Sequence, residues 1–200
     1  MESHLPPSLE VLRVYQEIDR IIERLKFASG LCCPSGCGVC CESENVEATV
    51  LEVLPVAEEI YWRGEEGLVL SAIDEMKSQG GARCVLIERE PFNLVKGRCL
   101  YYEVRPLVCR LFGLSARRGK KGDLELCTCR VIREQDPAAI SRARIGISED
   151  LPVPVYQDIF MRIASMDPSK GFRRLPINRA LEEALEQLWW KKPKRRRASA

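Results

Sequence analysis

The sequence predicts an α+β, mostly helical fold, with helices arranged around a small β-hairpin and a cysteine-rich metal-binding loop. Three observations carry that prediction. Apolar residues recur at three- and four-residue spacing through several long segments, which is the signature of amphipathic helices. Strand-like runs are few and short. All ten cysteines lie between residues 32 and 129, and five of them crowd one aperiodic, Gly- and Ser-containing stretch.

Each element has its own reason. After Pro6-Pro7, Ser8 is placed to cap a helix over about 9–28, with Val11, Val14/Tyr15, Ile18, Ile21/Ile22 and Leu25 as its apolar stripe and Gly30 as its stop. Residues 30–45 have no periodicity and read as a loop that something must organise. Thr49 and Glu52 form a capping box, and the helix it opens runs to about Trp62, with Pro55 near the first turn. A second helix, Glu65 to Ser78, draws apolar contacts from Leu68, Ile73 and Met76 and stops at Gly80-Gly81. Cys84 to Ile87 and Arg98 to Tyr101 read as two strands joined by Glu88 to Gly97. Pro106 suits the first position of a short helix carrying Leu107 to Phe112. Leu114–Ala116 and Leu124–Thr128 read as a hairpin around residues 117–123. Helices follow over 137–145, 153–166 and 177–190, the last with Ile177, Leu181, Leu185, Leu188 and Trp189 on one face. The expected organisation is a single domain over 1–190: a core at 30–130 with helical N- and C-terminal cover, and then a disordered basic tail over 191–200.

Composition narrows the function. Apolar residues make up 46% and charged residues 30%, so the whole chain is not a disordered one. No apolar run is long enough to span a bilayer. The start of the chain has no basic stretch followed by an apolar run, and 200 residues do not need covalent staples to fold. The expectation is therefore a cytoplasmic protein with reduced thiols, in which clustered cysteines bind metal or react rather than pair. The net charge of +2 divides unevenly. The tail holds six basic and no acidic residues; without it, 25 basic and 29 acidic residues leave residues 1–190 at −4. Such a tail can bind nucleic acid, but no aromatic residues are interleaved with its charges for base stacking, so a solvated end is the favoured reading.

The loop Cys32-Cys33-Pro34-Ser35-Gly36-Cys37-Gly38-Val39-Cys40-Cys41 carries the chemistry. Counted from Cys33 it is C-x3-C-x2-C-C, and thiolates so spaced converge when the residues between them turn tightly. Gly36 and Gly38 permit the positive-φ backbone such a turn can need. Several buried thiolates without a cation would be very costly, so this density points to metal. Cys32 is the one of the group that reads as a small core residue. Cys40 and Cys41 are adjacent; in an extended segment they point in opposite directions, which suits two metal positions or two parts of a cluster. Cys84, Cys99, Cys109, Cys127 and Cys129 bring the candidate ligands to nine, enough for two tetrahedral sites or for one cluster and one ion. The single histidine, His4, lies near the chain end, so thiolate dominates and soft-metal chemistry follows: zinc or iron–sulfur, including a 4Fe–4S cluster.

Gly97-Arg98-Cys99-Leu100-Tyr101-Tyr102-Glu103-Val104-Arg105-Pro106-Leu107-Val108-Cys109-Arg110, taken with the cysteine loop, resembles the YkgJ-like cysteine-cluster family. That family pattern is a CxxCC-ending loop, a single cysteine before a short apolar strand, and G-x-C-x-x-Y-E-x-R-P-x-x-C-R. The resemblance covers about residues 30–130 and implies a zinc- or iron-chelating domain. Arg105 and Arg110 are then placed to donate hydrogen bonds to sulfur or offset its charge, with Glu103 able to pair with either. Some relatives with a similar cluster look like protein-lysine methylases, so an S-adenosylmethionine-dependent enzyme using the same cluster is the alternative to a redox or structural metal protein. A radical triad at Cys33, Cys37 and Cys40 leaves Cys41 unexplained and lacks enough strand–helix units for its barrel. A Cys–His hydrolase lacks a second imidazole. A protein partner or substrate is expected, of unspecified kind.

Overall fold

The computed structural model describes residues 6–90 and 93–191. His4 and the basic run beyond Lys191 lie outside the described residues. The mostly helical α+β prediction holds: nine α-helices accompany three two-stranded antiparallel sheets among the described residues.

Helix α1 (Pro7–Ser29) buries Val11, Val14, Tyr15, Ile18, Ile22 and Leu25, and Gly30 closes it in a left-handed conformation. Ser8 is not its cap. Pro7 is already the first helical residue, where its missing N–H costs nothing, so Ser8 falls inside the first turn and is buried. Next come a 3-10 turn at Val39–Glu42 and strand β1 (Glu47–Thr49), leading into α2 (Val50–Arg63). Thr49 and Glu52 make the expected reciprocal capping box. Pro55 is the sixth residue of α2, beyond the first turn, so the helix gives up the amide that would reach the Leu51 carbonyl. That loss is offset by burial. Almost every residue from Val50 to Tyr61 is shielded, because α1, α3 (Glu66–Ser78) and α9 (Ile177–Lys191) pack around α2. Each fully buried Leu, Ile or Val contributes about 1.5–3 kcal/mol, against about 0–1 kcal/mol for an exposed ion pair. In α3, Ile73 and Val69 are buried; Leu68 is on the solvent side and makes none of the core contact expected of it.

The first hairpin is displaced from its expected place. Strands β2 (Ile87–Glu90) and β3 (Asn93–Cys99) pair antiparallel, with Ile87 opposite Cys99. Most of the stretch expected as a connection is therefore strand, whereas Cys84 to Leu86 is not. The amides of this segment find partners elsewhere: Cys84 N–H donates to the Cys41 carbonyl at 3.2 Å, and Val85 N–H to the Asn178 side chain at 3.1 Å. A 3-10 turn at Tyr102–Val104 leads to α4 (Leu107–Leu111), then β4 (Ser115–Arg118) and β5 (Leu124–Cys127) close the second hairpin near its expected place. The C-terminal cover comprises α5 (Arg130–Gln135), α6 (Pro137–Ser148), α7 (Tyr156–Ala164), α8 (Pro168–Gly171), β6 (Arg174–Pro176) and α9. Strand β6 pairs with β1, a link the sequence pattern does not announce. On α9 the expected stripe is buried at Ile177, Leu181, Leu185 and Leu188, but Trp189 is 55% exposed and outside it. No helix among the described residues is long and apolar enough to cross a membrane.

Candidate metal centre

The cysteine loop is held by its own turns and by the first hairpin. Cys37 N–H bonds back to the Pro34 carbonyl, and Gly36 takes φ +69° between them. Gly38 has an ordinary negative φ. Its need for hydrogen in place of a side chain is packing: a Cβ there would lie 2.7 Å from Ile87 Cδ1. Gly97 N–H donates to the Gly36 carbonyl at 3.0 Å, tying β3 to the loop.

Cys40 and Cys41 lie in the 3-10 turn, not in an extended segment. The bent backbone removes the reason for sending them to opposite sides: their sulfurs are 4.0 Å apart, and both line the same cavity.

That cavity, about 270 Å³, is the centre of the arrangement. Seven cysteines line it: Cys33, Cys37, Cys40 and Cys41 from the loop, Cys84 before β2, Cys99 at the end of β3, and Cys109 on α4. Arg98, Arg105, Arg110 and Tyr102 line it as well. Among the described residues no three Cys, His, Asp or Glu side chains are already drawn together as the ligand set of one ion; the sulfurs are distributed over the wall. Cys127 and Cys129 line a separate cavity of about 240 Å³ with Val108, Phe112 and Tyr156. Cys129 also caps α5, its sulfur accepting from Ile132 N–H at 3.5 Å. Cys32 is exposed and is not a core residue.

The thiols differ in acidity. Burial pushes Cys84 up to about 12 and Cys109 well above the ordinary thiol value. Cys99 is raised for the same reason. Desolvation in the cluster, then neighbouring Cys37, Cys40 and Cys129, push Cys33 up to about 12. Cys40 goes the other way, to about 7, through the hydrogen bond from Cys41, then backbone amides and the Arg105 charge. Cys41 is raised by its contact with Cys40, by burial and by the neighbouring thiols.

The two arginines are placed differently. Arg105 stacks over the Tyr102 ring at 3.7 Å and donates to the Tyr102 carbonyl at 2.7 Å. Arg110 is buried, paired with Asp19 of α1, and its other terminal nitrogen donates to the Glu103 carbonyl at 2.5 Å. The carboxylate partner is Asp19, therefore, and Glu103 contributes its backbone. Asp19 and Asn178 were not readable as site residues. Asp19 is one charge among many on α1, and Asn178 matters only because α9 folds back onto residues 83–85.

A helical shell surrounds a thiol-lined cavity whose wall, among the described residues, holds no histidine, and this donor set suits soft metals such as zinc or iron. Residues 31–130 match the CxxCxxCC family, described as "Putative zinc- or iron-chelating domain", and the chain belongs to that family. No curated relative and no solved structure matches the chain.

Proposed function

We propose that the chain holds an iron–sulfur cluster, of the 4Fe–4S kind, in the cavity between the cysteine loop, the first hairpin and α4. The observation that carries this reading is the convergence of seven cysteines on one cavity of about 270 Å³. A tetrahedral zinc takes four protein ligands and closes around the ion, so one structural zinc leaves thiols and space over. A cluster uses cysteine ligands over a larger centre. Cys37, Cys40, Cys41, Cys84, Cys99 and Cys109 are the first candidates, with Cys33 at the edge towards Cys129. Cys127 and Cys129 lie apart and serve a second ion or none.

When bound, a cluster supplies one-electron redox chemistry; zinc in its place supplies a structural clasp. What the chain itself contributes is separable from that choice. The loop turn and the 3-10 turn present four sulfurs, the hairpin and α4 close the far wall, and Arg105 holds positive charge beside Cys40.

Anaerobic reconstitution with iron and sulfide, followed by iron, sulfide and zinc analysis and an absorption spectrum, tests the proposal. The expected result is iron and sulfide in equal amounts and a visible band that bleaches on reduction. C84S and C109S should abolish it, C32S should leave it intact, and C127S should lower metal content only if a second ion is present. Stoichiometric zinc with no iron uptake would replace the cluster by zinc. Uptake of neither metal would overturn the site.

A further inference from the structure

Arg110 is the most deeply buried charge at the site. Its side chain is 1% exposed, and it lines the cysteine cavity from α4, one residue beyond Cys109. Its terminal nitrogens are engaged by Asp19 and by the Glu103 carbonyl, and its guanidinium lies 4.7 Å above the Tyr15 ring. Its Nε–H, also buried, has no acceptor among the described residues.

A clamp between α1 and α4 does not explain this arrangement. Taking a guanidinium out of water costs several kcal/mol, and a buried donor left unmade costs about 1–3 kcal/mol more. Asp19 offsets only part of this, because it is 42% exposed and remains substantially hydrated. The other feature beside Arg110 is the thiol wall of the cavity it lines. A divalent ion ringed by four thiolates is negative overall, and so is a thiolate-bound iron–sulfur cluster. Sulfur in such a centre accepts hydrogen bonds, and a cation fixed nearby stabilises it where water is excluded.

We propose that Arg110 is a positioning residue for the bound centre: its Nε–H donates to a sulfur of the occupied cavity, and its charge offsets the excess negative charge there. Asp19 and Glu103 fix the fork so that this one donor stays available. The proposal rests on the metal-binding reading above, and deepens it by separating the ligands from the group that makes several thiolates tolerable together.

The test is anaerobic Co(II) titration of the full chain, reading affinity by competition and the thiolate-to-cobalt charge-transfer band. R110M, which removes charge and donor, should bind Co(II) about 10–100-fold more weakly than wild type, with the band moved. R110K keeps a charge but not the fork, and should fall between them. D19N loosens the surface end of the ion pair and should stay closer to wild type in affinity than either Arg110 variant. Thermal melts of the metal-free proteins separate a mere clamp. If R110M and D19N lose stability alike while R110M keeps wild-type affinity and band, the inference is wrong. Should R110M not fold, R110K decides: an affinity and band identical to wild type overturn the role given to Nε–H. If wild type binds no Co(II) but takes up iron and sulfide, the same variants are compared by cluster content and visible band, with R110M expected to lose both and an unchanged R110M overturning the inference. If wild type takes up none of these, the proposed function falls, and this inference with it.

Discussion

Cys40 and Cys41 are one residue apart in sequence and opposite in chemistry. Cys40 is held at about 7, first by the hydrogen bond from Cys41, while Cys84 is pushed up to about 12 by burial. In the metal-free protein Cys40 therefore ionises more readily than Cys84 and Cys109, whose burial favours the thiol. Thiolates are the species that alkylate and that bind metal. Brief iodoacetamide treatment at pH 7, read by peptide mass spectrometry, should modify Cys40 ahead of Cys84 and Cys109. At pH 5.5 Cys40 is protonated and its lead should shrink. The same shifts set the sign for metal: loading displaces protons from the raised thiols, so affinity falls as pH falls. A metal affinity that is flat between pH 6 and 8 would contradict this protonation pattern. The sequence announces these cysteines by spacing alone. It does not announce their different acidities, which depend on the 3-10 turn that brings two neighbouring sulfurs to 4.0 Å.

Among the elements, α2 shows what a sequence pattern carries and what it omits. The Thr49–Glu52 box is readable because capping is local, and it forms as read. The burial of Glu52 is not readable, since it depends on α1 and the C-terminal cover closing over it. One carboxylate oxygen accepts from Thr49 N–H at 2.7 Å; the other, Oε1, has no partner among the described residues. Burial raises the Glu52 carboxyl above its ordinary value, despite the Thr49 hydrogen bonds that lower it. The folded state therefore binds this proton more tightly than the unfolded state does. Its contribution to stability is greatest below the ordinary carboxylate range and is lost as pH rises through the raised value. E52Q removes that proton linkage, so the melting temperature of E52Q relative to wild type should rise as pH increases from 4 to 7. A constant difference would mean that Glu52 titrates normally. The first hairpin depends instead on absent atoms. A Cβ on Gly97 would lie 2.8 Å from the Glu88 carbonyl, a backbone atom that cannot swing away. G97A should cost about 1–3 kcal/mol in urea denaturation and reduce metal uptake, because the shift that clears the Glu88 carbonyl also moves the Gly97 N–H that bonds to the Gly36 carbonyl of the loop. The hairpin begins later in the chain than its apolar pattern predicts. Cys84 to Leu86 is apolar enough for a strand, but Asn178 and Cys41 take up its amides.

At the scale of the whole molecule, the family match ends at residue 130, whereas the supports of the cysteine-lined cavity do not. The Asn178 side chain of α9 accepts from Val85 N–H at 3.1 Å and donates to the Arg83 carbonyl at 2.8 Å, bracketing Cys84. Arg142 of α6 donates to the Ser29 carbonyl at 2.7 Å, where α1 gives way to the cysteine loop. Arg110 in turn depends on Asp19 of α1, which precedes the match. Segments on both sides of residues 31–130 therefore hold the flanks of the cysteine loop. The residues after 130 cover the same core, which is why their stripes were readable as helices while their link to the cysteines was not. We expect residues 31–130 alone to lack a cooperative melt and to take up less iron or Co(II) than the full chain. N178A tests the same coupling within the intact protein. It strands one donor and one acceptor beside Cys84; both are part-buried, so the cost is at the lower end of the about 1–3 kcal/mol of a fully buried group left unmade. The expected result is a lower urea midpoint with an unchanged slope, together with weaker metal binding. If the fragment loads metal as the full chain does and N178A lowers stability alone, the C-terminal helices are cover and nothing more. If both lose metal, the centre belongs to the whole chain, and the loop, hairpin and α4 are only the part of it that carries sulfur.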